Sequence, residues 1–92
     1  MSSKVRERMI FTGRVQGVGF RYKMSHLADA LRVTGWVRNE YDGSVHAELQ
    51  GTGEELEQIL MQLGQDRYIE LNDIDRKRIP LEEDERLFEI RS

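Results

Sequence analysis

The nine residues from Gly13 to Arg21 combine a glycine-rich backbone with a guanidinium group. They read Gly-Arg-Val-Gln-Gly-Val-Gly-Phe-Arg and join a predicted strand to a predicted helix. Glycines let the chain turn so that several N–H groups point into one concavity, and the helix that follows adds its positive N-terminal dipole. The guanidinium of Arg21 can place two donors on one phosphate. This segment therefore predicts a binding site for a phosphate-bearing ligand.

The charge distribution favours an anion site in the same part of the chain. The net charge is −3 over 92 residues. Five basic residues and one acidic residue lie between positions 14 and 38, whereas 6 basic and 15 acidic residues lie between positions 39 and 92. Scattered surface charge is the alternative explanation, but the positive segment coincides with the glycine-rich turn.

The composition limits what surrounds such a site. A chain of 92 residues has room for one domain, and without cysteine it has neither disulfides nor thiolate-ligated metals. The start, Met1-Ser2-Ser3-Lys4, lacks the apolar stretch of a signal peptide, and the apolar runs are too short to span a membrane. We therefore expect a soluble, cytoplasmic protein, and the acidic net charge argues weakly against a nucleic-acid partner.

Hydrophobic periodicity predicts strand, helix, strand, strand, helix, strand and strand in that order. The fourth strand carries Ile74 out of phase with its other apolar residues, which indicates a bulge or a twist. The last strand is predicted to turn Phe88 and Ile90 inward, after a solvated acidic loop at residues 81–85. The predicted strands cover residues 5–13, 35–39, 44–50, 68–76 and 87–91.

Both predicted helices are amphipathic. The first begins at Phe20 and repeats apolar residues at helical spacing. The second opens with a capping box between Thr52 and Glu55, and we expect it to stop with Gly64 as the residue after the cap. This order of elements predicts an α+β, ferredoxin-like βαββαβ sandwich with both helices on one face of a mostly antiparallel sheet and an extra C-terminal strand. No linker or repeat divides the chain, so residues 1–92 are expected to form a single domain.

The chain resembles the acylphosphatase family in two motifs at the expected separation. These are the segment 13–21 and the segment Gly35-Trp36-Val37-Arg38-Asn39, which is followed by Asp42-Gly43-Ser44-Val45. The resemblance extends over nearly the whole chain. It implies a monomeric hydrolase that cleaves the carboxyl–phosphate bond of acyl phosphates to a carboxylate and inorganic phosphate, with no metal and no other cofactor. It implies a small-molecule substrate and no nucleic-acid or membrane partner.

The resemblance also implies residue roles. The family's phosphate-clamping arginine falls on Arg21 and its water-orienting asparagine on Asn39. Its phosphate-binding loop falls on Gln16, Gly17, Val18, Gly19 and Phe20.

The chemistry of the residues agrees with these roles. The carboxylate that leaves an acyl phosphate needs no protonation near neutral pH, so no strong general acid is required. Backbone amides and Arg21 can hold the phosphoryl oxygens and offset their charge, and the amide of Asn39 can orient a water for in-line attack.

Simpler explanations remain open for each residue. Taken singly, Arg21 could be a surface residue and Asn39 could simply end a strand. His26 and His46 have no partners that suggest a triad or a metal site. A P-loop, a dinucleotide fingerprint and an RNA-recognition module fit the sequence poorly. The stronger alternative is a non-catalytic or regulatory module of the same fold that binds phosphate or carbamoyl phosphate without turning it over.

Overall fold

The computed structural model describes residues 3–92, in which two helices cover one face of a five-stranded sheet. The strand order across the sheet is β4-β1-β3-β2-β5. The elements in chain order are β1 Lys4–Arg14, α1 Phe20–Leu31, β2 Thr34–Asn39, β3 Val45–Thr52, α2 Gly53–Gly64, β4 Glu70–Ile79 and β5 Phe88–Ile90. The predicted order of elements and the ferredoxin-like α+β class are both confirmed.

The sheet is antiparallel except at one edge. β1 pairs with β3 and β4 in antiparallel fashion, and β2 pairs with β3 in the same way. The C-terminal strand β5 adds to β2 in parallel, with Gly35 opposite Phe88. The extra C-terminal strand therefore lies beside the strand that carries Asn39.

One core fills the space between the helices and the sheet. The inward residues of β3 are Val45, Ala47 and Leu49, and all three have no exposed surface. Phe11 of β1 meets Phe20 of α1 edge to face, with ring centroids 4.9 Å apart. The first turn of α1 is thus fixed above the end of β1.

The register of the sheet aligns the ends of β1 and β2. Val45 of β3 is opposite Phe11 on one side and Asn39 on the other. Two strand spacings separate Phe11 from Asn39, or about 10 Å. The loop that follows β1 and the side chain that ends β2 therefore lie at the same end of the sheet.

Several local expectations meet the structure in detail. The predicted bulge is confirmed, because Thr12 pairs with Asp73 but Gly13 pairs with Leu71, which leaves Asn72 as the extra residue. Helix α2 ends at Gly64 as expected, but Gly64 belongs to the helix and Gln65 is its C-cap with right-handed φ of −89°. The assignment of Gly64 as the residue after the cap was wrong.

The C-terminal segment departs from expectation in part. Phe88 packs against the core, and Ile90 lies opposite the buried Val37 on the same face of the sheet, as predicted, although it is 38% exposed at this edge strand. The acidic loop is only partly solvated, because Glu85 forms a salt bridge to Arg6 at 2.7 Å and the Arg6 side chain is 2% exposed. Neither α1 nor α2, the helices of residues 3–92, is long and apolar enough to cross a membrane. Residues 1 and 2, part of the segment tested for a signal peptide, lie outside the described residues.

Candidate anion-binding and hydrolytic site

Residues 15–19, here called the glycine loop, connect β1 to α1. Gly17 and Gly19 have φ of 73° and 79°, the left-handed region that favours glycine. A Cβ atom at either position would meet no atom within 4 Å. The glycines therefore serve the path of the backbone, and the space around them is open for a ligand.

The N-terminus of α1 adds unpaired donors to the glycine loop. Gly19 is the N-cap residue, no side chain caps the helix, and its first turn contains no acidic residue. The first helical hydrogen bond that involves the cap runs from the amide of Lys23 to the carbonyl of Gly19 at 3.0 Å. The amides before Lys23 have no carbonyl four residues earlier in the helix, so they are free to donate to an anion.

Arg21 carries a full positive charge at this helix end. Its side chain is half-buried and has no hydrogen bond or ion pair with any residue in the range 3–92. Two other cations of the basic segment are paired: Lys23 contacts Asp66 at 3.0 Å, and Arg38 contacts Glu40. A cation at a helix N-terminus is unfavourable by itself, so a bound anion would relieve a cost that the fold carries.

Asn39 ends β2 with an unsatisfied acceptor. Its Oδ1 atom is buried and accepts no hydrogen bond from residues 3–92. Leaving a buried acceptor unpaired costs about 1–3 kcal/mol. The residue lines an open cleft of about 460 Å³ together with Arg38, Glu40, Tyr41 and Ser92. The Asn39 side chain therefore borders an open cleft and keeps an acceptor that no residue in the range 3–92 uses.

The side chain of Gln16 joins the glycine loop to the hairpin turn at residues 40–44. Its Nε2 atom donates to the carbonyl oxygens of Glu40 at 2.8 Å and Ser44 at 2.9 Å. Glu40 directly follows Asn39, so this bridge connects the anion-binding loop to the predicted water-orienting residue. Sequence reasoning placed Gln16 in the loop but missed this contact.

Hydrogen bonds between its own residues also hold the hairpin turn. The Asp42 carboxylate accepts from the backbone N–H of Ser44 at 2.9 Å and from its hydroxyl at 2.6 Å. These two bonds hold the pKa of Asp42 below its usual value, because they stabilise the ionised form. The turn that follows Asn39 is thus fixed by its own side chains as well as by Gln16.

The sheet register and the contacts of Gln16 bring the glycine loop and Asn39 to one end of the molecule. His26 is exposed on α1, and His46 lies on the sheet face away from the helices, opposite Ile10 and Arg38. Within residues 3–92, no three His, Asp or Glu side chains form a group that could hold a metal ion. The guanidinium groups of Arg38 and Arg91 lie over the ring of Trp36, at 5.1 and 5.0 Å from its centroid.

A family model described as acylphosphatase matches residues 7–90. The chain belongs to the acylphosphatase family. An acylphosphatase from Clostridium acetobutylicum is 40% identical over 79 residues, which cover 85% of this chain and 87% of that protein. One from Methanospirillum hungatei is 44% identical over 62 residues, which cover 67% of this chain and 68% of that protein.

The three-dimensional comparison agrees with the sequence comparison. The crystal structure of acylphosphatase from Bacillus subtilis is similar with a TM-score of 0.86 and 31% identity. The match covers 96% of this chain and 99% of that one. The acylphosphatase resemblance of the two motifs is therefore confirmed, and family and fold together support hydrolysis of acyl phosphates. The roles assigned to single residues remain predictions.

Proposed function

We propose that this protein hydrolyses acyl phosphates by in-line attack of a water molecule on phosphorus. The glycine loop, the N-terminal amides of α1 and the Arg21 guanidinium hold the phosphate, and Asn39 orients the water. The observation that carries the proposal is the buried, unpartnered Oδ1 of Asn39, located at the end of the sheet where the donors of the loop and helix are also found. A site that only bound phosphate would need donors and would have no use for this acceptor.

The donors at the site match the needs of phosphoryl transfer. Backbone N–H groups and a guanidinium offset the charge that would otherwise repel a nucleophile, and they are in place before the reaction begins. The leaving carboxylate is stable near neutral pH, so the step requires no acid from the protein. His46 lies on the sheet face away from the helices, and the mechanism assigns it no proton transfer.

The amide of Asn39 suits the nucleophilic water. Its oxygen can accept a hydrogen bond from the water and so direct a lone pair of that water towards phosphorus. An amide is not a base near neutral pH. We therefore assign the proton of the water to a phosphate oxygen or to solvent, and Asn39 acts by orientation.

The proposal also covers the domain organisation, cofactor requirement, location and oligomeric state of the protein. The family model spans residues 7–90, which supports one acylphosphatase domain over residues 1–92. The charge compensation supplied by the amides and by Arg21 supports hydrolysis with no metal and no cofactor. We further propose that the protein acts as a cytoplasmic monomer on a small-molecule substrate.

The decisive experiment is the hydrolysis of an aromatic acyl phosphate, followed by absorbance, with chelator-treated protein. Replacement Asn39→Ala should lower kcat by roughly 10²-fold, the loss expected for one oriented group in the transition state. The inhibition constant for inorganic phosphate should change less than about 3-fold, because Asn39 is assigned to the water. The matched control is Asn72→Ala, an exposed asparagine in the bulge of β4.

The outcomes separate the enzyme from the alternative module. Phosphate binding without turnover in the wild-type protein would favour a non-catalytic module that binds phosphate or carbamoyl phosphate. Unchanged turnover in folded Asn39→Ala protein would remove Asn39 from the mechanism. Activity that is lost with chelator and restored by magnesium or zinc would contradict the metal-independent mechanism.

A further inference from the structure

The side-chain amide of Gln16 contacts Glu40 and Ser44, the two residues whose hydrogen bond closes the β2–β3 hairpin. The carbonyl of Ser44 accepts from the amide of Glu40 at 2.9 Å, and the carbonyl of Glu40 accepts from the amide of Gly43 at 3.2 Å. Gln16 Nε2 donates to both carbonyl oxygens, at 2.8 and 2.9 Å. An amide NH₂ group has two hydrogens, so both are used in these contacts.

These contacts separate two roles that Gln16 could have. With both hydrogens engaged by the hairpin, the side chain has no donor left for a phosphate oxygen. The two carbonyls also have hairpin partners of their own, so loss of Gln16 would leave neither of them unpaired. The contact is therefore redundant for satisfying the turn, and its consequence is geometric: it fixes the distance between the glycine loop and residue 40.

The two residues that Gln16 joins are neighbours of the proposed reacting groups. Gln16 directly precedes Gly17 of the glycine loop, and Glu40 directly follows Asn39. In the sheet, Asn39 and Phe11 are separated by β3, a span of about 10 Å. The Gln16 bridge connects the two sides without passing through that intervening strand.

We propose that Gln16 is a positioning residue that sets the Asn39 amide relative to the bound phosphate. This inference rests on the proposed function, because it requires that Asn39 orient the attacking water. In-line attack is sensitive to placement, and a displacement of about 1 Å can lower a rate by 10²-fold. A shift of the hairpin turn would move Asn39 but would leave the loop amides and Arg21 in place.

The proposal makes separate predictions for kcat and for phosphate binding. Replacement Gln16→Ala should lower kcat by about 10-fold or more, since Asn39 is no longer held at a fixed distance from the loop. The inhibition constant for inorganic phosphate should change less than about 3-fold, because the side chain donates to the hairpin. Gln58→Ala, on the exposed surface of α2, is the control.

The defining measurement is a double-mutant cycle with Asn39→Ala. If Gln16 acts through Asn39, the effect of Gln16→Ala on kcat should fall to less than about 2-fold in the Asn39→Ala background. Circular dichroism and a denaturant titration establish that each variant is folded. Should Gln16→Ala not fold, Gln16→Met replaces it, because Met has a similar length and no donor.

Each outcome has a definite meaning. Equal losses of kcat in both backgrounds would overturn the proposal, since Gln16 would then act independently of Asn39. A large rise in the phosphate inhibition constant would instead place the Gln16 side chain on the substrate. Absence of acyl phosphate hydrolysis in the wild-type protein would overturn the proposed function, and this inference with it. If the wild-type protein hydrolyses acyl phosphates but the effects of Gln16→Ala and Asn39→Ala on kcat are additive, only this inference is overturned.

Discussion

Helices α1 and α2 have the same length of 12 residues and cover the same face of the sheet, but their N-termini are built in opposite ways. At α2 the hydroxyl of Thr52 accepts from the amide of Glu55 at 3.2 Å, and the Glu55 carboxylate accepts from the amide of Thr52 at 2.8 Å. Acidic residues also occupy its first turn. The N-terminus of α1 has no side-chain cap, and its first turn contains Arg21 and no acidic residue.

The difference shows how one chain separates stability from function. A helix end has unpaired amides and a positive partial charge, and either the chain or a ligand can satisfy them. The α2 end is satisfied by its own side chains and contributes to folding. The α1 end leaves its amides available and adds a cation, which disfavours the free protein slightly and favours an anion. The following changes test this division, in order of decreasing expected effect.

Removal of the cation should have the largest effect. Arg21→Ala should lower kcat/KM by roughly 10³-fold or more and weaken phosphate inhibition as well, because the guanidinium holds the phosphate before and during the reaction. Arg21→Lys should restore little, since an ammonium lacks the planar pair of donors. Steady-state hydrolysis and phosphate inhibition measure both effects. Near-normal phosphate inhibition in Arg21→Ala would place the anion site elsewhere.

The next largest effect is expected when the α1 end is made to resemble the α2 end. Gly19→Asp puts a carboxylate at the N-cap of α1, where a Cβ meets no atom within 4 Å. Gly19→Asn is the matched control, because both residues tolerate a left-handed backbone and differ in charge. Repulsion of a nearby phosphate should lower the kcat/KM of Gly19→Asp at least about 10-fold below that of Gly19→Asn. Equal values would mean that the substrate phosphate does not approach this helix end.

The opposite pattern is expected at α2. Thr52→Ala removes the capping box and should lower the free energy of unfolding by about 1 kcal/mol. The site is built from the glycine loop, α1 and the end of β2, so kcat and the phosphate inhibition constant should stay at wild-type values. Denaturant unfolding and the hydrolysis assay measure the two quantities. A loss of activity in folded Thr52→Ala protein would contradict the division of roles between the two helix ends.

The parts of this molecule that sequence could predict are those with local causes. The capping box, the Asp42-Gly43 turn and the apolar faces of the helices depend on residues a few positions apart. The confirmed bulge followed from the phase of Ile74 within its own strand. Arg21 and Asn39 could be predicted because each belongs to a short, contiguous family motif. Each of these signals could be found without knowing how distant segments pair.

The parts that failed depend on distant partners or on a backbone angle. The acidic loop was predicted to be solvated, but its Glu85 pairs with the buried Arg6. Arg6 contacts Glu48 and Glu85, which are 42 and 79 positions away in the sequence. The contacts of Gln16 span 24 and 28 positions, so the sequence showed a loop residue and not a bridge. Gly64 was assigned from its residue type, but the chain stays right-handed through Gln65. Local patterns could not predict these contacts because the sheet register creates them.

The smallest expected effect is at the other ends of the two helices. Arg32 caps α1 with φ of 58°, a left-handed conformation that is costly for any residue with a Cβ. Arg32→Gly should raise the free energy of unfolding by about 0.5–1 kcal/mol, since relief of this strain exceeds the added freedom of the unfolded chain. Gln65→Gly at α2 has no such strain to relieve, because φ is −89° there, and it should lower stability slightly.

Denaturant unfolding of the two glycine variants, with Arg32→Ala as a third, separates the backbone from the side chain. Arg32→Ala removes the guanidinium and keeps the left-handed strain, so its stability should stay close to that of the wild type. Hydrolysis should be unchanged in all three variants, because neither cap belongs to the site. Equal shifts for Arg32→Gly and Arg32→Ala would assign the effect to the arginine charge. Opposite signs for Arg32→Gly and Gln65→Gly would show that the two helices differ in backbone strain at their C-termini as they differ in capping at their N-termini.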